Sequence, residues 1–137
     1  MTSTTVRRDH GSSVLTEGIR VSARPQFLAG QSRTDLGKYL FIYHMTIRNE
    51  SAEPARLVRR HWFVVDAEGE THEVSGEGAV GQTPRIEPGQ EWQYASYCPL
   101  GTPWGTMEGW YEMQRDDGSK FRVTVGRFFL VSDDREG

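Results

Sequence analysis

The residues best suited to chemistry in this chain are one glycine-spaced string and a small set of titratable side chains. Gly76-Glu77-Gly78-Ala79-Val80-Gly81 matches G-x-G-x-x-G, the spacing with which a dinucleotide fold brings a pyrophosphate against the backbone at a helix N-terminus. Pro84 and Pro88 follow closely, and Pro88-Gly89 signals a turn, so no helix of useful length starts after the string. Two readings stand. In one, Gly76, Gly78 and Gly81 converge backbone N–H groups on an anion such as pyrophosphate, Arg85 adds a charge-assisted contact, and Glu77 opposes it. In the other, the glycines take positive φ to carry the chain round a corner between strands. The corner is the simpler expectation.

A metal centre needs converging ligands. His44, His61, His72, Glu73 and Cys98 are available, but none of them falls in a C-x-x-C or H-E-x-x-H spacing, so no metal is expected. Cys98 is followed by Pro99 with no base beside it, which suits a small buried apolar residue better than a nucleophile. Asp116-Asp117 precedes Gly118, where turn chemistry accounts for both carboxylates. No catalytic residue and no cofactor are expected. Trp104 and Trp110 are the candidates for partner binding, because Trp is over-represented in interaction hot spots.

The elements that position these residues read as strands. Apolar residues alternate with period two: Ile19, Val21 and Ala23 up to Pro25, which should limit that strand, then Tyr39, Phe41, Tyr43, Met45 and Ile47. Further strands are expected at Ala55 to Asp66, Thr71 to Val74, Glu91 to Tyr97 and Thr106 to Arg115. A last strand carries Phe121, Val123 and Val125, with Gly126 as a bulge before Phe128 and Leu130. Alternation puts Arg59, His61 and Phe63 on one face and Arg60 with Trp62 on the other. It also separates Trp110 from Met107 and Tyr111, and leaves a gap at Gly109 for a large neighbour. About seven antiparallel strands with regular turn signals predict an all-β sandwich. The expected core is Phe41, Tyr43, Met45, Trp62, Val64, Trp92, Tyr111, Phe121 and Val123.

A chain of 137 residues is the size of one domain. A net charge of -3, with Lys and Arg spread apart from Arg56, Arg59 and Arg60, argues against a nucleic-acid surface. No apolar run reaches membrane-spanning length, the N-terminus lacks a signal-peptide core, and a single cysteine fits a reducing compartment, so a cytoplasmic location is expected. Residues 1–13 and 132–137 read as flexible tails around a domain at 14–131.

Several strings then line up in order: Pro25 to Ser32, Arg60-His61-Trp62, Gly76 to Gly81, Pro88-Gly89, Tyr94 to Leu100 and Thr102 to Gly109. Together the chain resembles the bacterial ApaG (CorD) family over nearly all of its length between the tails. It departs from that pattern at Tyr97 and Ala79, where a glycine and a valine are expected. The resemblance implies a fibronectin-III-like or immunoglobulin-like β-sandwich, linked to cobalt resistance and magnesium efflux, without an established reaction. In larger eukaryotic proteins the same domain looks like an interaction unit. The expectation is therefore a non-catalytic module that binds a protein partner, as a monomer or weak homodimer. A weak nucleotide or pyrophosphate binder is the alternative.

Overall fold

The computed structural model describes residues 10–132 in full and the backbone of residues 2–6. Ten strands occupy these residues. They are β1 (Thr2–Val6), β2 (Ser12–Thr16), β3 (Ile19–Phe27), β4 (Tyr39–Asn49), β5 (Ala55–Asp66), β6 (Thr71–Glu77), β7 (Arg85–Ile86), β8 (Glu91–Leu100), β9 (Trp104–Gln114) and β10 (Lys120–Val131). One sheet runs β1-β2-β3-β4-β8 and the other β10-β9-β5-β6, with β7 also paired to β5. Every ladder is antiparallel. The only helical turns among the described residues are single 3-10 turns at Ala29–Gln31 and Thr34–Leu36.

Alternation builds the sandwich. Phe41, Tyr43, Met45 and Ile47 of β4 point inward and are buried, while Trp62, Val64, Tyr111, Val123 and Phe128 fill the facing sheet. Trp62 stands edge-on to Tyr43, Tyr111 and Phe128 at ring-centroid distances of 5.5, 6.0 and 6.0 Å, the arrangement aromatic quadrupoles favour. Trp92 and Phe121 pack against this cluster partly buried. All the strands expected from the sequence are present.

Three differences have local causes. Pro25 does not end β3, which continues to Phe27 in register with Phe41. The β2 ladder stops at Ala23, so on that side Pro25 has no ladder hydrogen bond to make. The chain before residue 14 is not all tail: β1 pairs with β2, and Ser12 and Ser13 are buried. Ser12 Oγ donates to the Gly126 carbonyl at 2.7 Å. A Cβ on Gly126 would meet Val14 Cγ2 at 2.7 Å, so the glycine in the β10 bulge permits this approach. Ser132 donates its N–H to Pro103; residues 1, 7–9 and 133–137 lie outside the described set, so that part of the expected tails does too. Third, the gap at Gly109 is filled by backbone, not by a large side chain: a Cβ there would collide with the His61 carbonyl.

β10 lies against β2 and β3 and closes one side of the sandwich, while β6 and β8 flank an opening on the other.

Candidate functional site

The outer face of the β10-β9-β5-β6 sheet gathers the side chains best arranged for recognition. Register places Trp110 of β9 opposite His61 of β5. Their rings stack at 4.9 Å with an interplanar angle of 6°. On the neighbouring strand the Arg122 guanidinium lies 3.9 Å from the Trp110 ring centroid, within the range where ring and cation attract. Phe63 packs on His61 at 4.7 Å, and His61 Nε2 meets Glu73 Oε1 at 3.0 Å. Trp104 lies on the same face, 47% exposed, over a shallow hollow shared with Val65, Thr106 and Phe129. The two tryptophans are six residues apart on β9, about 20 Å at the rise of a strand. Between them Arg127 Nε donates to Glu108 Oε1 at 2.8 Å. The sequence put Trp110 on an outer face. It did not show His61 or Arg122 beside it, because cross-strand neighbours follow from hairpin register and from the β5 irregularity between Leu57 and Arg59.

The glycine string takes another form. Gly76 is inside β6, and Gly78 and Gly81 have φ of 61° and 79°. Ala79 and Gln82 exchange both backbone hydrogen bonds at 2.9 Å around Val80-Gly81, and Val80 also has positive φ at 45°. This is the backbone of a type I′ turn. The Gly78 N–H goes to the Val58 carbonyl at 2.7 Å. Two carbonyls of the string, Glu77 and Gly78, accept from Arg60 Nη1 at 3.1 Å each. Acceptors thus face the neighbouring cation. Arg85 is turned to Asp116, with Nε to Oδ1 at 3.0 Å and Nη2 to Oδ2 at 2.5 Å, and to Glu87. The Arg85 hydrogen bond holds the Asp116 carboxyl below its ordinary pKa.

Titratable groups in the core stay neutral. Burial pushes the Cys98 thiol up to about 11, against the thiolate character a nucleophile needs. The Tyr94 and Tyr111 hydroxyls share a hydrogen bond of 2.6 Å, and burial raises the pKa of both. Among the described residues no group of three or more His, Cys, Asp or Glu side chains is placed to hold a metal ion. Nor does any helix among them have the length and apolarity to cross a membrane.

These features define a small all-β domain of the fibronectin-III or immunoglobulin-like sandwich class. The chain matches the family model described as DUF525: ApaG domain over residues 29–115. It is 48% identical over 120 residues to Protein ApaG of Anaeromyxobacter dehalogenans strain 2CP-C, covering 88% of this chain and 94% of that protein. It is 45% identical over 112 residues to Protein ApaG of Xanthomonas campestris pv. campestris strain B100, covering 82% and 88%. The crystal structure of the putative ApaA protein from Bordetella pertussis superposes with a TM-score of 0.83 at 38% identity, over 85% of this chain and 95% of that one. The chain belongs to the ApaG family.

Proposed function

We propose that this domain is a non-catalytic interaction module that docks a cytoplasmic protein through the outer face of the β10-β9-β5-β6 sheet, with Trp110 and Trp104 as anchors. The observation that carries the reading is the clamping of Trp110 between the His61 ring and the Arg122 guanidinium on a half-exposed surface. A ring already held in place loses little rotamer freedom when a partner covers it, so more of the contact energy appears as affinity. Trp and Arg are also the residue types that dominate hot spots, and the Glu73 and Glu108 carboxylates supply a polar rim. The link to cobalt resistance and magnesium efflux that the family resemblance implies would follow from that partner contact.

The test is affinity capture from the native host with quantitative mass spectrometry, followed by titration of the purified pair. Trp110→Ala is expected to weaken the interaction at least about 30-fold, a hot-spot loss of about 2 kcal/mol. Trp104→Ala should lose less, and Arg85→Ala, beside the opposite end of β5, should keep wild-type affinity. Equal capture by wild type and both tryptophan variants would remove the outer face from consideration.

A further inference from the structure

Along the open side of the sandwich, between edge strands β6 and β8, lies a cavity of about 350 Å³. That volume sits at the lower end of small-molecule sites and holds roughly twelve heavy atoms at liquid packing. Its walls include the inner-face residues Arg60, Trp62 and Val64 from β5, Val74 from β6, and Cys98 and Leu100 from β8, with Tyr97 at its rim. The long axis is polarised by strand order, because Arg60 is at one end and Asp66 at the other.

Trp62 and Arg60 bear polar groups on the β5 wall. Trp62 is 3% exposed, its ring lines the cavity, and among the described residues no acceptor reaches its buried Nε1–H. Arg60 is half-buried, and among the described residues no carboxylate pairs with it. Its position is set by the glycine string: Nη1 is held by the Glu77 and Gly78 carbonyls, and a Cβ at Gly76 would come within 3.0 Å of that nitrogen. The glycines therefore hold a cation at that end of the cavity. Asp66, by contrast, directs Oδ1 to the N–H groups of Glu68 and Glu70 and disfavours an anion at its end.

We propose that this cavity is a binding site for a small carboxylic acid with an apolar body. The carboxylate would lie toward Arg60, beside the Trp62 ring, and the body between Val64, Val74, Cys98 and Leu100. One cation suits a singly charged head group, and the apolar walls disfavour inorganic phosphate, which would need a second cation. The site is on the inner face of β5, so it stands or falls separately from the outer-face partner contact.

The test uses the ¹⁵N-labelled full chain, with the indole N–H signals of its four tryptophans resolved by NMR and Trp62 assigned by its loss in Trp62→Phe. Probes are sodium hexanoate and phenylacetate, each beside the neutral alcohol of the same body, 1-hexanol and 2-phenylethanol. The acids should move the Trp62 signal saturably, with midpoints of about 0.1–3 mM as befits ligands of this size. The Trp110 signal should stay in place. Each alcohol should bind about 10-fold more weakly than its acid, the value of one charge-assisted contact. Arg60→Gln should lose that same factor and Arg60→Lys should recover most of it. Cys98→Leu, which fills the cavity, should abolish the shift. If Arg60→Gln does not fold, the acid-to-alcohol ratio in the wild type decides. The proposal is overturned by no saturable Trp62 movement up to about 20 mM, by equal binding of acid and alcohol, or by all indole signals moving together.

Discussion

Two substitutions of Trp62 should differ widely in cost, because one removes the ring and the other removes little more than an unpaired donor. The indole is buried and meets Tyr43, Tyr111 and Phe128 edge-on. Trp62→Ala removes all three contacts and leaves a void in a core that relaxes only in part, so it should cost about 3–5 kcal/mol. Trp62→Phe keeps a six-membered ring for the edge contacts. It forfeits about three buried heavy atoms, about 2 kcal/mol at the usual value per methylene. It also deletes a buried N–H without an acceptor, which offsets about 1–3 kcal/mol. The net change should lie within about 1 kcal/mol of wild type. Urea unfolding followed by far-UV circular dichroism reads both. With an m value near 2 kcal/mol/M, the alanine midpoint falls by about 2 M and the phenylalanine midpoint by no more than about 0.5 M. A Trp62→Phe loss above about 2.5 kcal/mol would show that the N–H is paired, and the reasoning about an orphaned donor would fail.

Three further outcomes are expected. Asn49 is fully buried, and its Nδ2 donates to the Glu53 and Ile86 carbonyls at 2.8 and 2.9 Å while Oδ1 accepts from Ser51; Asn49→Ala should cost about 2–4 kcal/mol in urea unfolding. Because burial raises Cys98 from 9.0 to about 11, the unfolded chain loses that proton first, so this contribution is intact below about pH 9 and declines toward pH 11, by about 1.4 kcal/mol at pH 10. Cys98→Ala should flatten the stability profile between about pH 9 and 10, after which the buried tyrosines take over; an unchanged profile would contradict the thiol's burial. Calorimetric titration of wild type and Glu77→Gln with pyrophosphate should be flat, whereas a saturable heat in the range of about 10 µM to 1 mM, stronger in Glu77→Gln, would favour the anion reading of the glycine string.

Where one face of a strand is buried, the sequence displays it. The alternation of Phe41, Tyr43, Met45 and Ile47 marks β4 and its inner face, and Asp116 to Ser119 marks the β9–β10 hairpin. Gly126 is legible as a bulge because a glycine interrupts an otherwise regular apolar pattern. β2 is not legible, because Ser12 and Ser13 are polar by type yet buried by a tertiary contact with β10. β7 is a two-residue strand, too short for any period. Trp104 and Trp110 are visible as residue types, but their arrangement with His61 and Arg122 depends on register between strands far apart in sequence. The same holds for the cavity, whose walls come from β5, β6 and β8.

β5 joins these two surfaces through the period of a single strand. Its odd positions, His61 and Phe63, turn outward to Trp110, and its even positions, Arg60, Trp62 and Val64, turn inward to the cavity. Such proximity demands that the backbone between the two faces be tightly fixed, and Gly109 does this: β9 approaches until a Cβ would strike the His61 carbonyl and lie 3.1 Å from Trp62 Cα. The conformational freedom of glycine is not what is used there, since Gly109 lacks positive φ; the missing Cβ is. Gly76 plays the corresponding part on the other flank of β5, leaving the space into which Arg60 folds. Two glycines that read in the sequence as a gap on the inner face of a strand and as part of a nucleotide motif are thus explained by one requirement, the close packing of neighbours against β5.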